Sequence, residues 1–156
     1  MYSILIDYPE IEAEEEIVAK TTAVWSSEAA PVFTKEQLLE CLGLVRQMPV
    51  SPHVIAYAVG LARASRPSDG FAPDFVRKYV EWGAGPRAGQ YLILGAKSLA
   101  LLQGKPALSC SEVRRVAPPV LQHRILLNYS ATGDGVTPQH LIRQLLEYVR
   151  EPDYSR

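Results

Sequence analysis

Residues 81–104 read EWGAGPRAGQYLILGAKSLALLQG, and this stretch decides the fold. Gly85 is a permissive N-cap, and Pro86 has its φ preset for the first position of a helix. Leu92, Ile93, Leu94, Leu99, Ala100, Leu101 and Leu102 then surround most of a helix over residues 86–103, which predicts burial on several sides. Ala88, Gly89, Gly95 and Ala96 leave room for neighbouring helices to approach, and Gly104 is a natural terminator. A helix buried on several sides needs other helices around it.

The rest of the chain supplies them. Thr34 with Gln37, and Ser109 with Glu112, match the capping box, in which a hydroxyl and a longer polar side chain satisfy each other's backbone N–H. Val32-Phe33-Thr34, Val50-Ser51-Pro52 and Val136-Thr137-Pro138 each place a hydrophobic residue near a capping hydroxyl, with staple partners at Leu38, Ile55 and Leu141. The predicted helices are 34–47, 51–65, 86–103, 109–116 and 137–150, with an acidic helix over 10–20 and a short one over 74–82. Pro118-Pro119 is expected to stop the 109–116 helix, and Pro119 to open another through Val120, Leu121, Ile125 and Leu126. Residues 66–72 carry turn chemistry and are expected to form a loop.

Residues 2–6 (Tyr-Ser-Ile-Leu-Ile) read as a short strand with no second strand in the chain to pair with, which suggests that the chain is cut from something larger. The fold class is therefore an all-α helical bundle with a short N-terminal strand. The chain divides into residues 1–9, strand and connection, and 10–156, the helical domain.

Composition narrows the function. The chain has 156 residues, 47% hydrophobic, with 16 basic and 17 acidic side chains, which fits one globular domain. A net charge of −1 argues against nucleic acid and anionic membranes as partners, since either normally demands a basic surplus. Cys41 and Cys110 are too few for a disulfide scaffold, lack metal-ligand neighbours, and read as buried or half-buried thiols. The first sixteen residues hold six acids and no base, unlike a signal peptide. The longest apolar stretches, 54–62 and 91–96, fall short of the ~20 residues that span a bilayer. A cytoplasmic protein without membrane insertion is the expectation.

No phosphate loop is present: the one Gly-Lys, Gly104-Lys105, is followed by Pro106 and lacks the upstream glycine. No strand ends in Asp-Glu, His53, His123 and His140 form no metal-ligand pair, and there is no Gly-x-Ser-x-Gly elbow. Chemistry concentrates instead at the start of the 86–103 helix. Arg87 stands beside the unsatisfied N–H groups of a helix N-terminus, where anions are favoured, and its fork suits phosphate. The alternatives are a solvated Arg87 or a pair with Glu81. Trp82 reads as core ahead of a stacking platform, Arg63 and Arg66 as helix-end residues ahead of a place lining a ligand cleft, and His123 and Arg124 as packing residues.

The run 79–88, YVEWGAGPRA, resembles the W-G-A-S-P-R-A signature of MoxR-type AAA+ ATPases. The similarity continues through 96–104 (AKSLALLQG) and 113–128 (VRRVAPPVLQHRILLN). Residues 59–66 resemble the family's L-V-R-A-T-R segment, and residues 6–9 (IDYP) the exit from the last strand of its ATPase core. The resemblance implies a C-terminal AAA+ lid, with 1–9 as the last core strand and its connection. In the family the arginine matching Arg87 is the sensor 2 residue, so Gly85, Pro86 and Arg87 become the cofactor-binding residues and Arg87 the catalytic one. The cofactor implied is ATP, with Mg2+ held by a core outside this chain. Turnover is expected of the intact protein and not of this chain alone. Partners implied are the chain's own core, neighbouring subunits of a ring, and von Willebrand factor A-type proteins. The family has Ser where Gly85 stands, which removes a hydroxyl and little helix stability. Whether Arg87 serves its own or a neighbouring subunit's nucleotide stays open. The alternative function is a free-standing helical interaction module that binds no nucleotide.

Overall fold

A computed structural model of the chain describes residues 2–24 and 30–153. The expected units 1–9 and 10–156 thus include positions outside the described residues: 1, 25–29 and 154–156. In chain order the elements are α1 (Ile11–Thr22), α2 (Lys35–Gln47), α3 (Pro52–Ala64), α4 (Asp74–Tyr79), β1 (Val80–Trp82), α5 (Pro86–Leu102), α6 (Cys110–Leu121), β2 (Leu126–Leu127), α7 (Tyr129–Gly133) and α8 (Pro138–Tyr148).

Helix α5 is the centre. It packs most extensively on α6, then on α3 and α2, while α8 closes the far side of α3 and α6. Ala88, Leu92, Ala96 and Ala100 are fully buried along α5, and small side chains at three of those positions bring the neighbouring helices close. The core is completed by Val54, Tyr57 and Leu61 of α3, Val113, Val120 and Leu121 of α6, and Leu141, Ile142 and Leu145 of α8. Leu102, at the end of α5, is exposed, so burial does not extend around the last turn. Gly104 follows with φ +67°, the left-handed conformation that glycine adopts without strain.

The helix starts largely follow the expected chemistry. Both capping boxes form, Thr34 with Gln37 and Ser109 with Glu112, and the Thr137 hydroxyl accepts from the His140 N–H at 3.2 Å. Ser51 makes no side-chain cap, and Pro52 alone opens α3.

Three features depart from expectation. The prolines do not stop α6, which runs through Pro118 and Pro119 to Leu121. A proline inside a helix costs about 3 kcal/mol or more. Burying each Val or Leu side chain contributes about 1.5–3 kcal/mol, and Val116, Val120 and Leu121 are all buried on this helix, so packing holds it together. Beyond Leu121 the chain turns rather than opening a new helix. Secondly, the 74–82 segment is a helix only to Tyr79; residues 80–82 form β1, antiparallel to β2, pairing Val80 with Leu127 and Trp82 with Leu126. The Asn128 side chain locks this ribbon to α4 by donating to the Lys78 carbonyl at 2.8 Å. Thirdly, the strand expected at 2–6 forms no ladder and does not join the β1–β2 ribbon. The segment is tied to α6 instead. The Ser3 N–H donates to the Pro119 carbonyl at 2.8 Å, and Gln122 donates to the Ser3 carbonyl. Tyr2 lies against Gly95, where an added Cβ would come within 2.1 Å of its hydroxyl oxygen. The glycine expected to admit a helix admits a tyrosine.

Helix α1 buries no side chain, and α2 leaves Leu38, Leu39 and Leu42 exposed. Cys41, on α2, is exposed, whereas Cys110 is buried and its thiol is pushed up to about 11, chiefly by that burial. Among the described residues no helix is long and apolar enough to cross a membrane.

Candidate nucleotide-sensing loop

The loop before α5 is held from behind. Ser65, the C-cap of α3, is fully buried. Its hydroxyl donates to the Ala62 carbonyl at 2.7 Å and accepts from the Ala84 N–H at 2.9 Å. Arg66 Nε donates to the Ala84 carbonyl at 2.8 Å. Both polar groups of Ala84, itself fully buried, are therefore taken by consecutive residues at the end of α3. Gly83 lies so close that a Cβ there would stand 2.3 Å from the Ser65 carbonyl oxygen and 2.6 Å from the Arg66 Cα. Only glycine fits at 83 without moving backbone.

One residue past Ala84 the constraint ends. Gly85 is extended, makes no side-chain cap, and has open space where a Cβ would stand. Pro86 occupies the first helical position, and the Ala88 N–H closes onto the Gly85 carbonyl at 2.9 Å. Arg87 is exposed and, among the described residues, has no hydrogen-bond or ion-pair partner; the pair with Glu81 is not formed. An open cleft of about 430 Å³ lies against this turn, lined by Arg66, Ser68, Glu81, Trp82 and residues 83–86.

The remaining singled-out residues fall as follows. Trp82 is 73% exposed at the mouth of the cleft and is not core, because its strand is a two-stranded ribbon with one open face. Arg63 forms a forked pair with Asp69, at 2.9 and 3.0 Å, rather than capping its own helix. That pair, with the Phe71 N–H also donating to the carboxylate, holds Asp69 at about 2 and orders the 66–72 loop. Arg124 stacks over Tyr91 at 5.1 Å, a packing role as expected, while His123 is exposed. The site brings together Gly85, Pro86 and Arg87, and adds Ser65 and Gly83, which sequence reasoning did not assemble, and Arg66, for which a cleft position was the lesser of two readings. The available signal was Gly83, a second glycine two positions before the N-cap.

Known proteins bear on this arrangement. Residues 74–145 match the AAA lid domain family. Chaperone MoxR1 of Mycobacterium tuberculosis is 30% identical over 155 residues, covering 99% of this chain and 41% of that protein. Protein MoxR of Methylorubrum extorquens is 34% identical over 110 residues, covering 65% of this chain and 31% of that protein. A crystal structure from Cytophaga hutchinsonii superposes with a TM-score of 0.83 at 24% identity, covering 98% of this chain and 47% of that one, and shows the shared fold. The chain thus spans less than half the length of these relatives. With the lid match running from α4 into α8 and homology along nearly the whole chain, the protein belongs with the AAA lid domains of the MoxR chaperones.

Proposed function

We propose that the chain acts as the C-terminal lid of a cytoplasmic MoxR-family AAA+ ATPase, and that Arg87 is its sensor 2 residue. The observation that carries the reading is the combination of a rigid mount and a free charge. Ala84 is fixed on both sides, yet Arg87, three residues on, presents a guanidinium with no partner among the described residues. A cation held at a helix N-terminus, where backbone N–H groups also point outward, is suited to stabilising the charge of a terminal phosphate. An exposed guanidinium with no carboxylate paired to it among the described residues fits an anionic ligand at Arg87. ATP supplies the phosphoryl chemistry. This chain supplies electrostatic recognition, while the attacking water, Mg2+ and phosphate loop belong to the core. Nucleotide state would then be read as lid position, against the chain's own core and a neighbouring subunit of a ring. Von Willebrand factor A-type proteins are the partners the family suggests.

The test is ATP turnover by the separately made ATPase core of the same protein, with and without this chain. Turnover restored on addition supports a lid. Turnover unchanged by saturating amounts of the folded chain contradicts it, and leaves a helical interaction module without nucleotide as the reading.

A further inference from the structure

We infer that Ser65 and Arg66 are positioning residues for Arg87, acting as a two-point clamp on Ala84; the inference rests on the sensor reading given above. The direction of each bond is fixed by the atoms available. The Ser65 hydroxyl proton is engaged by the Ala62 carbonyl, so its oxygen is free to accept from the Ala84 N–H. Arg66 Nε, which can only donate, takes the carbonyl of the same residue. A peptide segment held through both its donor and its acceptor can neither slide along α3 nor rotate away from it. Gly83 removes the remaining freedom by pressing its Cα against the Ser65 and Arg66 backbone.

What the clamp fixes is the direction in which α5 begins. Ala84 precedes the N-cap by one residue, and the first turn closes immediately beyond it. The aim of Arg87 is therefore referred to the end of α3, not only to the packing of α5. Helix α3 in turn bears on α5, α6 and α8, so the clamp ties the guanidinium to the whole body of the lid. The neighbouring 66–72 loop is braced by the Arg63–Asp69 fork and by Arg77, whose Nε donates to the Ala72 carbonyl at 3.2 Å. Placement matters in a site of this kind, because misplacing a catalytic group by about 1 Å costs up to ~100-fold in rate.

The test uses the intact ATPase containing this chain. Ser65→Ala, Arg66→Ala and Arg87→Ala are made singly, and each clamp variant is combined with Arg87→Ala. The clamp predicts that Ser65→Ala and Arg66→Ala lower kcat roughly tenfold with KM for ATP little changed, as expected for a contact made in the transition state. It predicts no further loss in the double variants, because the effect passes through Arg87. Ser65→Thr, which keeps the hydroxyl, restores kcat. Amide exchange supplies a readout independent of turnover: protection of the Ala84 N–H is lost in Ser65→Ala while protection within α5 stays. If Arg87→Ala abolishes turnover but the clamp variants keep full kcat, or their losses multiply with that of Arg87→Ala, the clamp is overturned and the sensor reading stands. If Arg87→Ala leaves turnover unchanged, the sensor reading fails and the clamp has nothing to act through. Should Ser65→Ala not fold, Arg66→Ala carries the same comparison from the partly exposed side.

Discussion

Gly83 and Gly85 stand two residues apart and answer to opposite constraints. At Gly83 the missing Cβ is a packing requirement, since the atoms it would meet are backbone and cannot swing aside. Gly83→Ala should destabilise the chain by about 1–3 kcal/mol, the usual cost of overpacking. Gly85 faces open space in extended backbone, so Gly85→Ser should gain roughly a few tenths of a kcal/mol from a side-chain cap. Urea denaturation of the two variants decides both. Glu112 gives a second residue-scale prediction. Burial opposes its charge, yet Lys105, the Ser109 N–H and the hydroxyls of Ser109 and Ser111 together hold its carboxyl at about 2. A carboxyl lowered on folding stabilises the protein above its ordinary value near 4.5 and loses that contribution as pH falls towards about 2. Stability should therefore fall across that window, in which Asp69 also titrates, and Glu112→Gln should flatten part of the slope.

Among the elements, α6 shows where local rules yield to packing. Its start was legible from Ser109 and Glu112 because a capping box is a local arrangement of four residues. Its end was not, because the prolines that read as a stop are outweighed by side chains whose burial only the fold reveals. Leu121→Ala, beyond both prolines, should cost about 2–5 kcal/mol, as for a fully buried leucine, whereas Leu39→Ala on the open face of α2 should cost under about 0.5 kcal/mol. Thermal melts of this chain that rank them in reverse would contradict the packing account. The β1–β2 ribbon escaped the sequence for a similar reason. Runs of three and two residues are too short to show alternation, and Phe75, Tyr79 and Trp82 share helical spacing although the helix ends between the last two.

At the scale of the molecule, the helical class and the central place of α5 were readable from its nearly all-round apolar surface and from the caps of its neighbours. The candidate site was half readable. Gly85, Pro86 and Arg87 are contiguous, so pattern alone assembles them; Ser65 and Arg66 lie 18 to 19 residues upstream of the carbonyl and N–H they hold, and only the fold brings them there. The helix α1, with no buried side chain, and α2, with its exposed leucines, leave apolar side chains uncovered on both helices. If Arg87 is the sensor, its guanidinium meets a nucleotide phosphate in the assembled ATPase. The most direct measurement is steady-state ATP turnover by the intact ATPase bearing Arg87→Ala, with folding of the variant checked by its melting curve. A sensor at Arg87 predicts an unchanged melt and a fall in kcat of about 100-fold or more, in line with the loss of one preorganised electrostatic contact. Wild-type turnover from a fully folded Arg87→Ala protein would contradict it.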